Sequence, residues 1–175
     1  MIDGPAKSSG HRLVSHVADV ILEAWATTRV SCLEEAARGL IGSFVDVENV
    51  VPTGRVPVAL SAAGDEEMLV SLLEEVIYIV EALGQVSVRV HLDEHEDRSV
   101  RGSFETIPAT RVQSTGAPPK GMSRSDLVFE ERGQLWRCHV LVDVWATETR
   151  VSRAFLAGTV VRPLAGVTRR GSLRG

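Results

Sequence analysis

From Arg12 to Trp25 hydrophobic and polar positions alternate with period two. Val14, Ala18, Val20, Leu22 and Ala24 share one face with His16, while Ser15, Asp19 and Glu23 fall on the other. Successive side chains point to opposite faces in extended chain, so this stretch predicts one long strand with a buried face. The period then changes. After a turn through Ala26 to Arg29, Cys32, Leu33, Ala36, Ala37, Leu40, Ile41 and Phe44 recur at helical spacing. Ser31 followed three residues later by Glu34 reads as a capping box, so a helix is expected over roughly 32–44.

Asn49, Pro52 and Gly54 mark a turn-rich stretch before Arg55 to Leu60, a short strand that Pro57 places near an edge or a strand start. The strongest helical stripe follows, through Leu69, Leu72, Leu73, Val76, Ile77, Val80 and Leu83. Asp65, Glu66 and Glu67 suit the positive end of its dipole, and Gly84 is placed to stop it. Val86 to Leu92 and Val100 to Glu105 predict a hairpin with His91 to Asp97 as its turn. Pro, Gly and Thr dominate 106–119, and a last pair of strands is expected over about 122–130 and 134–145. In the second of these Trp136, Cys138, Val140, Val142 and Val144 face one way, and Arg137, His139 and Asp143 the other. The order β-α-β-α followed by a β-meander predicts an α+β fold, with two helices packed on a mixed, mostly antiparallel sheet. The expected domain is 12–145, between a disordered segment over 1–11 and an Arg-rich, disordered extension over 146–175.

With 175 residues, 44% of them hydrophobic, the chain can close a core without a metal or disulfide staple. Its charge is uneven. Up to Val144 there are 13 Lys and Arg against 22 Asp and Glu, whereas from Trp145 on there are 6 Arg against one Glu. An acidic body argues against a phosphate-binding face, so any service to nucleic acid is expected to be indirect. Cys32 and Cys138 have neither a zinc spacing nor a disulfide framework, which points to the reducing cytosol. The longest uncharged apolar run, Val76 to Val80, is far short of a bilayer span, and residues 1–11 lack the apolar run of a signal peptide. A cytoplasmic protein without membrane contact is expected.

Two acids stand out chemically. Asp19 and Asp143 each interrupt a strongly apolar strand, where a carboxylate is costly unless a cation or donors compensate it. Hard divalent ions take oxygen ligands, so the two brought together with a backbone carbonyl and water would make an open cation site. The alternative is that each pairs with an Arg or caps a turn. Trp25 and Trp145 end the same strands on the same faces as the acids, which hints that the strands are neighbours. His16, three residues before Asp19, falls on the opposite face of an unbroken strand, as a hydrogen-bonded core residue would. His91, Asp93, Glu94, His95, Glu96 and Asp97 read as a solvated acidic loop rather than a metal cluster. No GxSxG, GxxxxGK[ST], GxGxxG or HExxH pattern occurs.

The order His16-Val-Ala-Asp19-Val, Glu23-Ala-Trp25, Leu33-Glu-Glu-Ala-Ala37, the Leu-rich second helix and Val140-Leu-Val-Asp143-Val144 resembles the archease family. The resemblance covers about 12–144. It implies a cytoplasmic accessory protein that activates a GTP-dependent RNA-splicing ligase, promoting its guanylylation and turnover in tRNA splicing or RNA repair. It also implies a divalent ion, calcium with Mg²⁺ or Mn²⁺ as alternatives, held by Asp19, Asp143 and the main-chain carbonyl of Val144. Where the family carries K-A-x-T-Y-H, this chain has Lys120-Gly-Met-Ser-Arg-Ser125, keeping the Lys and replacing the Tyr and His. His16, Lys120 and Asp126 are the candidate supporting or partner-contacting residues. Two other functions use the same residues: a small metal-dependent phosphoester hydrolase, which needs an additional base, and a scaffold in which the aspartates serve stability alone.

Overall fold

The structure, a computed structural model, describes residues 8–15 and 19–145. Its strands are β1 (Gly10–Ser15), β2 (Asp19–Ala26), β3 (Val45–Asp46), β4 (Gly54–Leu60), β5 (Gln85–Glu94), β6 (Val100–Pro108), β7 (Gln113–Ser114), β8 (Pro119–Arg132) and β9 (Leu135–Val144). Its helices are α1 (Arg29–Gly42) and α2 (Asp65–Leu83), with a 3₁₀ turn at Ala109–Arg111. The class is α+β, as expected. Three sheets share the strands, in the orders β1-β2-β9-β8, β4-β6-β5 and β3-β7. Every pairing among the described residues is antiparallel.

The helices lie between the two larger sheets: α1 packs on β2 and β5, and α2 on β8 and β5. That position explains the composition of α2, whose Met68, Leu69, Val70, Leu72, Leu73, Val76, Ile77, Ile79 and Val80 are all buried. A helix covered on one side needs a stripe; one covered on two sides needs more. Leu22, Ala24 and Ala26 of β2, with Cys138, Val140 and Val142 of β9, complete one wall of the core, and Val86, Val90 and Phe104 belong to the other. Gly39 lets α1 approach β2, since a Cβ there would stand 2.6 Å from Leu22 Cδ1. Gly84 ends α2 at φ 63°, the left-handed cap its position predicts.

Several expectations are corrected. The single long strand over 12–25 is two antiparallel strands, β1 and β2, whose register runs from Gly10 opposite Trp25 to Ser15 opposite Val20. Period-two alternation is the same in a straight strand and in a hairpin, and no Gly or Pro marks the reversal. β1 also begins at Gly10, inside the segment assigned to the N-terminal tail. The cap of α1 is Thr28 rather than Ser31: Ser31 N–H donates to Thr28 Oγ1 at 3.2 Å, and the helix starts three residues early. His91, Asp93 and Glu94 belong to β5, so the hairpin turn is only 95–99. The Pro- and Gly-rich stretch after residue 106 continues β6 to Pro108 and supplies β7, which pairs with β3. The edge position of β4 follows its Pro57 as predicted. The expected extension over 146–175 and His16 lie outside the described residues.

A buried cation fastens one end of the molecule. Arg29, 5% exposed at the start of α1, donates to Asp65 at 2.8 Å and to Glu94 at 2.6 Å. Asp65 also receives Arg98 at 2.6 Å. The two free cysteines meet between α1 and β9, where a hydrogen bond with Cys32, together with burial, pushes the Cys138 thiol well above its usual range.

Candidate functional site

The outward face of the four-stranded sheet is a ladder that its register makes explicit. Residues 19, 21, 23 and 25 of β2 alternate with the buried Leu22, Ala24 and Ala26. Glu23 stands between Arg12 of β1 and His139 of β9. It accepts a hydrogen bond from Arg12 and lies 3.5 Å from His139 Nδ1. The Arg12 hydrogen bond is the main reason the Glu23 carboxyl sits below the usual carboxylate range, with partial burial opposing it. One rung further along, Val14, Ile21 and Leu141 form an apolar row.

The last rung is Asp19 opposite Asp143. Acids from the two ends of the domain thus become direct cross-strand partners, whose Cβ atoms lie about 5 Å apart in such a pair. Asp19 is half-buried and Asp143 exposed. Neither makes an ion pair with any described residue, so the reading in which each is neutralised by its own Arg finds no guanidinium there. Both acids stand at strand ends on the outer face rather than within the apolar core. The desolvation cost expected for them is therefore small, and what marks the rung is like charge across strands.

The main chain supplies a third oxygen. Trp145 N–H donates to Pro118 O at 3.1 Å, on the β8 side. In a planar trans peptide the carbonyl points opposite to the N–H, so the Val144 carbonyl is directed toward the β2 side, where Asp19 lies. Two carboxylates with no ion-pair partner among the described residues, together with one carbonyl, are a hard oxygen set, and it suits Ca²⁺, Mg²⁺ or Mn²⁺ with water completing the shell. Among the described residues no group of three or more His, Cys, Asp or Glu gathers as a metal cluster, the acidic stretch around His91 to Asp97 included.

The candidate supporting residues separate. Lys120 lies beside the rung, where the β8–β9 register shifts between Pro119 opposite Val144 and Gly121 opposite Asp143. Its Nζ sits 5.2 Å from the centroid of the Trp145 ring. Asp126 is not brought to the rung. It occupies a bulge between the partners of Leu141 and His139, with φ 59° and an exposed side chain. Arg124 and Ser125, at the positions of the replaced Tyr and His, are exposed in the same bulge. Sequence reasoning missed Glu81, whose carboxyl is raised above its usual range by partial burial, with the neighbouring Trp145 side chain opposing the shift. One signal pointed to it: an acid in the last turn of α2, where the helix dipole disfavours negative charge.

A family model described as the Archease protein family (MTH1598/TM1083) matches residues 11–144. The chain is 39% identical over 140 residues to a "Probable protein archease" of Mycobacterium tuberculosis, covering 80% of this chain and 78% of that one. A "Protein archease" of Aeropyrum pernix is 25% identical over 136 residues, covering 74% and 93%. The fold is similar to the solution structure of Methanobacterium thermoautotrophicum protein 1598, at TM-score 0.59 and 16% identity, covering 77% of this chain and 99% of that one. It is also similar to the crystal structure of an archease, possible chaperone, from Thermotoga maritima, at TM-score 0.56 and 20% identity, covering 76% and 96%. The chain belongs to the archease family.

Proposed function

We propose that this archease-family chain is a non-catalytic accessory protein that holds a divalent cation and activates a GTP-dependent RNA-splicing ligase. It promotes the ligase's guanylylation and turnover in tRNA splicing or RNA repair, acts in the cytoplasm and serves nucleic acid only through that partner. The observation that carries the reading is the Asp19–Asp143 rung, two acids in direct register with no paired cation among the described residues. Asp19, Asp143 and the Val144 carbonyl would hold the ion, most simply Ca²⁺. Held there, a cation would neutralise the like charge of the rung and would supply a charged contact for an oxygen ligand from outside the chain.

The remaining steps belong to the chain itself. The apolar row of Val14, Ile21 and Leu141 adjoins the rung and gives a partner surface to bury. Activation follows if this face binds the nucleotide-loaded ligase better than the empty one, since a ligand shifts an equilibrium only by its differential affinity. The test is ligase guanylylation with and without sub-stoichiometric amounts of this protein. A rise in rate and turnover, abolished in Asp19→Ala and Asp143→Ala variants that keep the native circular dichroism, is expected. An unchanged rate overturns the activation, and generic phosphoester hydrolysis by the purified protein with Mg²⁺ or Mn²⁺ would replace it with the hydrolase. No helix of the described residues is long and apolar enough to cross a membrane.

A further inference from the structure

We propose that Trp145 is a positioning residue that sets the direction of the Val144 carbonyl, clamped for that purpose by Lys120 and Glu81; this rests on the cation reading above. β9 ends at Val144, and a strand end that stops at the surface frays unless something beyond it is tied down. Trp145 is tied down three ways. Its backbone N–H donates to Pro118 O, its ring lies under the Lys120 ammonium, and its side chain interacts with the Glu81 carboxylate from α2. Trp145 is 39% exposed, so these contacts are not a by-product of core packing. The two side-chain partners reach Trp145 from different elements. Lys120 stands at the irregularity in β8, and Glu81 at the negative end of a helix dipole with no basic residue in that turn.

The three fasteners act on one rigid unit. The Val144 carbonyl and the Trp145 N–H share a peptide plane, so if the chain after β9 frays once the indole loses its anchors, the Trp145 N–H to Pro118 O bond is lost and the carbonyl can rotate. The carboxylates of Asp19 and Asp143 stay in register through the β2–β9 ladder. Loss of the clamp therefore weakens the third ligand while sparing the first two.

Titration calorimetry with Ca²⁺ and Tb³⁺ luminescence titration on the full chain test this. The wild type is expected to bind, Trp145→Ala to bind about 10- to 100-fold more weakly, as changes to groups that orient metal ligands do, and Asp143→Asn not to bind. Glu81→Gln keeps an acceptor for the indole and retains wild-type affinity, whereas Glu81→Ala and Trp145→Phe fall in between. Should Trp145→Ala fail to fold, Glu81→Ala against Glu81→Gln carries the comparison. Wild-type affinity in Trp145→Ala, or equal affinities in the two Glu81 variants, overturns the clamp alone. A wild type with no affinity for either ion overturns the cation reading and the clamp with it.

Discussion

Asp19 stands directly across the β2–β9 ladder from Asp143, and neither carboxylate meets a described cationic side chain. A like-charge rung of this kind destabilises by about 0.2–1 kcal/mol. In EDTA, Asp143→Asn and Asp19→Asn are therefore expected to melt slightly above the wild type. With Ca²⁺ the order reverses. Ion binding at 100 times Kd adds about 2.7 kcal/mol to the wild type, and the variants lack that gain. Thermal melts with and without Ca²⁺ check both signs.

Glu23 titrates below the usual range because Arg12 hydrogen-bonds its ionised form. A carboxyl lowered on folding stabilises the fold above its unfolded value, and that contribution is lost as pH falls through the lower, folded one. Glu23→Gln is expected to lower Tm at neutral pH, with the difference from wild type closing below about pH 4. Melts across pH 3–7 decide it.

Glu81 has the opposite sign. Burial raises its carboxyl, so the proton it holds in the fold stabilises at low pH, and the contribution disappears as pH rises through the folded value. Glu81→Gln is expected to raise Tm slightly at pH 7 and to leave it unchanged in acid. The same series of melts reads this in parallel.

Arg29 joins the first turns of both helices to the end of β5. Its removal leaves Asp65 with Arg98 but takes from Glu94 the ion pair it makes with Arg29. Breaking a buried pair costs about 3–5 kcal/mol. Asp65 and Glu94 are 29% and 32% exposed, so Arg29→Met is expected near the lower end. Urea denaturation measures it.

Thr28 caps α1 through its side-chain oxygen. Thr28→Ala is expected to cost about 1 kcal/mol. Ser31→Ala is expected to cost less, because Ser31 contributes its backbone N–H, which the substitution leaves in place. The two variants compared by urea denaturation separate the observed cap from the one the Ser31–Glu34 spacing predicts.

The long-range pairing of Asp19 with Asp143 was legible because each lies on the polar face of a clearly alternating strand ended by a Trp. Helix α2 and its Gly84 stop were legible because apolar stripe, acidic first turn and left-handed glycine all agree. Other features carried no local mark. The β1–β2 reversal keeps the alternation of a single strand, and β3 and β7 are two-residue strands too short to have a period. The bulge in β8 is a run of small and polar residues, Ser123 to Asp126, that reads equally as strand or turn. Arg29 looks like a turn residue until α2 and β5 surround it.

That bulge has a consequence for the behaviour of the protein at high concentration. β8 is 14 residues long and borders its sheet, which would make it a template on which a second copy could add strand to strand. The left-handed Asp126 and the irregularities at Lys120 and after Ser123 cut that border into short segments. A molecule whose longest border is broken in this way resists fibrillar self-association while leaving the neighbouring face free for its own work.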